Sequence, residues 1–218
     1  QTRGRGRSGR IWYSPRSGGN AFFSIILKPE NLQGNFMVIA NITQYASLVL
    51  IDVLDIYLAD LKEYGVVPKI KWPNDILING LKVAGILAEA VFSGNFLEAY
   101  ILGMGVNLNM PFAKLRKIDK PAGSLNGFLN KDVDVDIFLK RYLHHFFSGF
   151  DKFMTHGFPF IKEKYLKRSE LISKKVSIND YRTIQQGKVV DFTEKGSLLL
   201  QKNDGQTIKI NSGEVIHW

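Results

Sequence analysis

The chain has 218 residues, of which 45% are hydrophobic, and its 29 Lys and Arg residues exceed 20 acidic residues to give a formal net charge of +9. This composition supports a buried core and excludes a chain that is disordered throughout. No apolar run reaches the ~18–20 residues of a membrane-spanning helix. The absence of cysteine excludes a disulfide framework and thiolate chemistry. The positive charge is compatible with an anionic ligand, a nucleic acid or an acidic partner, and charge alone does not choose among them.

Arginine and glycine interleave at the start of the chain. Residues 1–20 contain five of each, a mixture that neither a helix nor a strand favours. Exposed amides and concentrated positive charge suit an anionic ligand. A nucleic-acid-binding segment and a disordered tail are the alternatives. A GxGxxG dinucleotide loop is excluded, because arginines stand between the glycines.

Apolar periodicity next predicts a strand, a helix and a second strand. Ala21–Leu27 is a continuous apolar run that is typical of a buried strand. Over residues 31–64, apolar side chains recur at three- and four-residue steps, which predicts one long core-packing helix. Residues 69–72 form a short strand that ends at Pro73, because proline has no amide proton for a strand ladder.

Residues 71–89 read KWPNDILINGLKVAGILAE and predict a β-hairpin. Asn79-Gly80 is a strong signal for a type I′ turn, which needs positive φ at both positions. The flanking strands, 76–78 and 81–90, are apolar, as buried strands are. Four polar side chains stand out against them: Lys71, Asn74, Asp75 and Lys82. On spacing alone, a solvated hairpin tip is as good an interpretation as a binding site.

The rest of the chain reads as one more strand, two helices and a run of short strands. The strand 96–102 ends in GMGVN, where glycines let a ligand approach the backbone, although an ordinary bend uses them too. Residues 132–154 and 158–171 are predicted helices. His144 and His145 have no third ligand at useful spacing, so we interpret them as structural or solvated. After Ser173, four or five short strands separated by turns predict a small barrel.

Taken in order, these segments resemble the biotin protein ligase family. GRGRSGRIW matches its glycine-rich loop, KWPND followed by a hairpin lysine and AGIL matches its signature, and GxGxN follows a strand as it does in the family. AGSL at 122–125 and SGEV at 212–215 also resemble family segments. The resemblance covers essentially the whole chain and is to the compact type, which lacks a DNA-binding winged helix. The family's strand, helix and Ser/Thr-rich turn before the glycine-rich loop are not in this sequence, so we expect that residues preceding Gln1 complete the biotin pocket.

The resemblance implies an α+β fold in two domains. Residues 1–172 would form a catalytic domain like that of class II synthetases, with a mixed, mostly antiparallel sheet backed by helices. Residues 173–218 would form a small SH3-like C-terminal β-barrel.

The implied activity is ATP-dependent ligation in two steps. Biotin's carboxylate attacks the α-phosphate of ATP to give biotinyl-5′-AMP, which then biotinylates a lysine of a biotin carboxyl carrier protein domain. The resemblance also implies Mg²⁺, a cytoplasmic location, no membrane or nucleic-acid partner for this chain, and a homodimer paired through sheet edges. A lipoate–protein ligase and a basic nucleic-acid-binding domain are the alternatives.

The resemblance assigns catalytic roles to Lys82, Arg7 and Asp75. Lys82 is the cation expected to bond both the carboxylate and the phosphate as charge develops. Arg7 wraps the same groups, and Asp75 holds the metal or accepts a proton from the incoming amine. No other metal ligand is assigned.

Further binding residues follow from the same motifs. Gln1 is expected in the biotin pocket, Trp12 as a wall of the adenine site and Asn107 on the adenine. The remaining expected contacts are Gly4, Arg5, Gly6, Asn74, Gly85, Leu87 and Gly103. The loop 3–16 is expected to be mobile without ligand and ordered over the adenylate.

Overall fold

A five-stranded antiparallel sheet positions the polar hairpin residues. The computed structural model describes residues 1, 3–15, 19–32 and 36–218, and only the backbone of residues 36 and 37. The strands of this sheet are β3 (Ala21–Leu27), β4 (Pro68–Lys71), β5 (Asp75–Ile78), β6 (Leu81–Ser93) and β7 (Phe96–Val106). Their order is β3-β7-β6-β5-β4, and every neighbouring pair is antiparallel. The predicted sheet is confirmed.

The arginine and glycine segment forms a small hairpin of its own. Its strands are β1 (Gly4–Arg5) and β2 (Ile11–Trp12), and a 3₁₀ turn at Arg7–Gly9 joins them. Residues 2 and 16–18 of this segment lie outside the described residues, and mobility of the loop 3–16 stays a prediction.

The turn in the 71–89 hairpin is as expected, because Asn79 and Gly80 have positive φ values of 49° and 78°.

The glycines of β7 differ from the prediction that the strand ends before them. Gly103 and Gly105 lie inside the strand, which continues to Val106 rather than ending at Leu102. Alternation directs Met104 and Val106 into the core, so the two glycines belong to the opposite face.

The single helix predicted over 31–64 is wrong. The described part has a 3₁₀ turn (Pro29–Leu32), α1 (Phe36–Ile39), α2 (Ile42–Tyr57) and a second 3₁₀ turn (Ala59–Tyr64), and residues 33–35 are not described. A distant contact accompanies the break before α2. The side chain of Asn41 donates to the carbonyl of Lys195, and the side-chain Nε2 of Gln44 donates to Gly196 O at 2.9 Å. These residues are about 150 positions away in sequence, so helical periodicity does not show them.

The later helices are α3 (Phe112–Leu115), α4 (Leu125–Leu129), α5 (Val135–His156) and α6 (Pro159–Arg168). Helix α5 begins after Asp134, whose side chain accepts a 2.9 Å hydrogen bond from the Ile137 amide and so caps the helix. Tyr142 and Phe146 of α5 are fully buried. Tyr142 meets Phe23 of β3 edge-to-face, so α5 packs on the sheet. None of the helices in the described ranges combines the length and apolar composition needed to cross a bilayer.

The C-terminal residues form a second five-stranded antiparallel sheet. Its strands are β8 (Lys175–Asn179), β9 (Ile184–Phe192), β10 (Leu198–Gln201), β11 (Thr207–Ile210) and β12 (Glu214–His217). The order is β11-β10-β9-β8-β12, and the β9–β10 turn carries the Gly196 carbonyl that Gln44 of α2 binds. The short strands predicted after Ser173 are therefore present.

Candidate active site

One cavity of about 940 Å³ brings together most of the residues expected at a site. Its walls come from the β1–β2 loop, the exposed face of the first sheet, the 118–122 segment and the residues that open β12. The expected residues that line it are Gln1, Arg5, Gly6, Arg7, Trp12, Asn74, Asp75, Lys82, Gly85, Leu87, Gly103 and Asn107. Gly4 lines an adjoining cavity of about 710 Å³ instead.

A bare strip of backbone crosses the sheet in the wall of this cavity. In the strand register, Asp75 lies opposite Gly85, Gly85 opposite Gly105, and Gly105 opposite Phe22. The two central positions of this row carry no side chain. A Cβ on Gly85 would lie 2.8 Å from Cζ3 of Trp12, and one on Gly105 would lie 2.6 Å from Cε2 of the same ring. Glycine is therefore required at both positions while the indole rests there.

Lys82 reaches the same face because β6 contains a bulge. Register with β5 shifts between Ile76 and Leu77, which leaves Val83 as the extra residue in β6. Residues three apart in a regular strand face opposite sides, but the bulge places Lys82 Nζ 3.4 Å from a Cβ built on Gly85. Lys82 Nζ lies 2.6 Å from Asp75 Oδ1 and 5.2 Å from the centre of the Trp12 ring.

The segment 121–125 hydrogen-bonds to both Lys82 and Asn107, which line the cavity. Lys82 N donates to Pro121 O at 3.0 Å, and Gly123 N donates to Lys82 O at 2.9 Å. The Asn107 side chain donates from Nδ2 to Gly123 O at 3.0 Å. Its Oδ1 is buried and has no hydrogen-bond partner, so it is an acceptor available to a ligand donor in the cavity.

Asn74 and Gln1 have partners within the protein. Asn74 Nδ2 donates to Ile86 O at 2.7 Å and Ile86 N donates to Asn74 O at 3.0 Å, which ties the turn after β4 to β6. Gln1 Oε1 accepts from the Ser14 hydroxyl at 2.6 Å. These contacts shape the site. That Asn74 and Gln1 contact a ligand stays a prediction.

The loop arginines are bound by carboxylates and by the C-terminal sheet. Arg5 Nη2 lies 2.9 Å from Glu89 Oε2, in an exposed pair. Arg7 donates to the Tyr181 hydroxyl at 2.9 Å and to Gly213 O at 3.3 Å. Arg10 pairs with Glu214. The C-terminal sheet thus contributes a wall to the cavity, and resemblance of the SGEV segment was the only sequence signal of it.

Lys71 also lines the cavity, although the sequence predicted no role for it. Its Nζ lies 3.4 Å from the centre of the Trp218 ring, a favourable cation–π geometry. Burial above all, opposed by the charges of Asp75 and Glu214 and assisted by those of Lys120 and Lys82, lowers the pKa of Lys71 to about 8. No helical or strand period predicts the meeting of Lys71 and Trp218, because they are far apart in sequence.

Comparison with known proteins agrees with this architecture. Residues 1–107 match the Biotin/lipoate A/B protein ligase family, and residues 173–218 match the biotin protein ligase C-terminal domain. The chain is similar to the biotin–[acetyl-CoA-carboxylase] ligase of Paracoccus denitrificans, with 31% identity over 95% of this chain and 84% of that protein. It is also similar to the bifunctional ligase/repressor BirA of Bacillus subtilis, with 30% identity over 94% of this chain and 60% of that protein.

A solved structure shares the fold over nearly the whole chain. The biotin protein ligase from Aquifex aeolicus in complex with biotin and ATP superposes with a TM-score of 0.75 and 29% identity, over 99% of this chain and 84% of that chain. The fold and the cavity define an α+β domain whose open sheet face carries the site, joined to a small β domain that closes one side of it. The chain belongs to the biotin protein ligase family.

Proposed function

We propose that this protein is an ATP-dependent biotin protein ligase that forms biotinyl-5′-AMP and transfers biotin to a lysine of a biotin carboxyl carrier protein domain. The observation that carries the proposal is one cavity in which Lys82, Arg7 and the unpartnered acceptor of Asn107 converge. Family membership and the Aquifex relative that binds biotin and ATP support it.

The first step requires one anion to attack another. Biotin's carboxylate oxygen forms a bond to the α-phosphorus of ATP as the bond to the pyrophosphate oxygen breaks. Lys82 is placed to reduce the repulsion, because its ammonium stands at the edge of the glycine strip and can bond both the carboxylate and the phosphate. Asp75 holds the ammonium at 2.6 Å and orients it.

The second step transfers the acyl group to a lysine amine of the carrier. The amine attacks the carbonyl carbon of the mixed anhydride, AMP leaves, and the amine loses a proton. Asp75 lies beside Lys82 in the cavity and is our candidate acceptor for that proton.

Mg²⁺ fits this cavity as an ion that arrives with the nucleotide. The described residues hold no group of three His, Cys, Asp or Glu side chains placed to bind a metal. Magnesium commonly uses one or two carboxylates together with substrate phosphates, and Asp75 is the carboxylate best placed for that. When bound, the ion would neutralise phosphate charge.

Incubation with biotin, ATP and a carrier domain tests the proposal directly, with a mass or gel-mobility shift of the carrier as the readout. The acid that supports ATP–pyrophosphate exchange separates biotin ligation from lipoate ligation. Tight, salt-steep binding of nucleic acid without carrier modification would instead favour the basic nucleic-acid-binding alternative.

We expect Asn107→Leu to raise the KM for ATP by about tenfold, because it removes an acceptor suited to adenine's exocyclic amine. The preference for ATP over ITP, whose base has a carbonyl at that position, should fall with it, while the Kd for biotin stays near its original value. Asn126→Leu is the matched control, since Asn126 contacts Asp132 near the surface. An unchanged ATP-to-ITP preference in Asn107→Leu would assign base recognition elsewhere.

The lowered pKa of Lys71 predicts how nucleotide binding depends on pH. Below about pH 8 Lys71 is protonated and attracts the phosphates; above that value it becomes neutral and the attraction is lost. The KM for ATP should therefore rise about threefold to tenfold from pH 7 to pH 9. Lys71→Arg should flatten this rise, because arginine stays charged over the whole range. If the KM for ATP rises equally with pH in the wild-type protein and in Lys71→Arg, Lys71 does not contact the nucleotide.

We also propose a homodimer paired through sheet edges, because β3 leaves one edge of the first sheet without a partner strand among the described residues. Light scattering at high concentration, with and without biotin and ATP, should give twice the chain mass. A monomer mass under every condition would contradict the dimer.

The cytoplasm, where ATP is supplied, is the compartment we propose.

A further inference from the structure

Lys71 lies one strand away from the carboxylate that holds Lys82. In the sheet register Lys71 is directly opposite Asp75, and residues opposite each other in an antiparallel pair share one face of the sheet. Asp75 Oδ1 in turn lies 2.6 Å from Lys82 Nζ. Neighbouring strands are about 4.8 Å apart, which is less than the length of an extended lysine side chain. The amine of Lys71 therefore reaches the surroundings of Lys82, where the proposed mechanism forms biotinyl-5′-AMP.

The lysines that line the cavity are held in different ways. Lys82 is in a 2.6 Å ion pair, and Lys120 Nζ lies 3.5 Å from Glu214 Oε1. Lys71 Nζ instead lies 3.4 Å from the centre of the Trp218 ring. Burial lowers the pKa of Lys71 to about 8, so more of it is the neutral amine that acylation requires. The aromatic contact is therefore the restraint that keeps this amine in place.

We infer that Lys71 is an internal acceptor of biotin, which the protein acylates slowly in its own cavity when no carrier domain is present, and that Trp218 limits the reaction by holding the amine. The inference rests on the proposed function, because biotinyl-5′-AMP supplies the acyl group. Lys71 Nζ attacks the carbonyl carbon of the mixed anhydride, the bond from that carbon to the phosphate oxygen breaks, and AMP leaves with the electron pair. The proton of the amine passes to Asp75, and a neutral amide remains.

Acylation of Lys71 limits further turnover. The amide has no charge with which to attract the phosphates of ATP, and the attached biotin fills part of the cavity. ATP–pyrophosphate exchange should therefore fall in proportion to the fraction of Lys71 that is labelled. The modification stops a protein that keeps forming adenylate without a carrier to receive the biotin.

Substitution of Trp218 tests the restraint. The protein is incubated with biotin and ATP without carrier, and peptide mass mapping measures biotin on Lys71 over time. Trp218→Leu removes the aromatic face and should raise the labelling rate about 2–30-fold, the range expected for loss of a cation–π contact. Trp218→Phe keeps a weaker aromatic face and should give an intermediate rate, and it remains available should the leucine variant misfold. Equal labelling of Lys71 in all three proteins overturns the inference.

Lys69 is the matched control within each sample. It lies two residues earlier on the same face of β4, but it does not line the cavity, and its Nζ donates to Lys167 O at 3.2 Å. It should stay unlabelled. Biotin on Lys120 in place of Lys71 would overturn the assignment of the acceptor.

Two further measurements separate the parts of the inference. The rate constant for labelling should be unchanged by tenfold dilution of the protein, because the reaction is internal, and a rate constant that falls on dilution overturns an internal acceptor. Acetylation by sulfo-N-hydroxysuccinimide acetate, without biotin or ATP, should modify Lys71 faster in Trp218→Leu and Lys69 equally in both proteins. Equal acetylation of Lys71 overturns the role of Trp218.

ATP–pyrophosphate exchange with biotin distinguishes failure of this inference from failure of the proposed function. Exchange shows that the protein forms the acyl donor. If exchange occurs and Lys71 stays unlabelled in folded Trp218→Leu, the inference alone is wrong. If neither the wild-type protein nor the variants catalyse exchange, the proposed function is wrong and the internal acceptor fails with it.

Discussion

Replacing Lys82 with alanine should lower the rate of adenylate formation by about 10²–10³-fold, the loss typical of removing one preorganised charge from a reacting centre. The physical reason is the position of Lys82. The β6 bulge turns its ammonium onto the glycine strip, the 121–123 segment fixes its backbone, and Asp75 orients its Nζ. Its Nζ comes within 3.4 Å of a Cβ built on Gly85.

ATP–pyrophosphate exchange measures this effect before any carrier is involved. Lys209→Ala is the control, since Lys209 is exposed on β11 in the C-terminal sheet, and its exchange rate should match that of the wild-type protein. Circular dichroism and a melting curve establish that Lys82→Ala is folded. Near-normal exchange in the folded variant would remove Lys82 from the mechanism.

Local rules predicted the parts of the fold that depend on neighbouring residues. The Asn79-Gly80 turn follows from the need for positive φ at both positions. The strand Ala21–Leu27 follows from an uninterrupted apolar run, and its bounds are those predicted. The break before α2 could not be predicted in this way, because Asn41 and Gln44 bind carbonyls of the β9–β10 turn.

The candidate site likewise combines residues that local motifs predicted with contacts between distant residues that the sequence does not show. Motifs identified Lys82, Asp75 and Asn107, which the cavity brings together. The pairing of Gly85 with Gly105 depends on strand register, and the packing of the Trp12 ring over both glycines is a contact between distant parts of the chain. The contacts of Arg7 with Tyr181 and Gly213 span 174 and 206 positions, so only the folded chain reveals that the C-terminal sheet holds the arginine loop.

Arg7→Gly should release biotinyl-5′-AMP faster and label nearby proteins. Arg7 connects the β1–β2 loop to the C-terminal sheet through Tyr181 and Gly213 while it lines the cavity. With adenylate bound, its guanidinium can also bond the phosphate. Glycine removes these bonds together and adds backbone freedom to a loop already rich in glycine. A charge-assisted hydrogen bond contributes about 1.5–3 kcal/mol, so the dissociation rate of the adenylate should rise by about 10–150-fold.

Biotinylation of an added bystander protein such as albumin, at equal amounts of adenylate formed, is the measurement. Tyr181→Phe separates the two roles of Arg7, because it removes the partner hydroxyl and leaves the guanidinium free to bond phosphate. Its effect should be smaller than that of Arg7→Gly. Arg182→Ala, an exposed arginine in the same turn, should leave bystander labelling unchanged. If Arg7→Gly forms adenylate and labels albumin no faster than the wild-type protein, Arg7 does not retain the intermediate, and closure of the cavity depends on other residues of the loop.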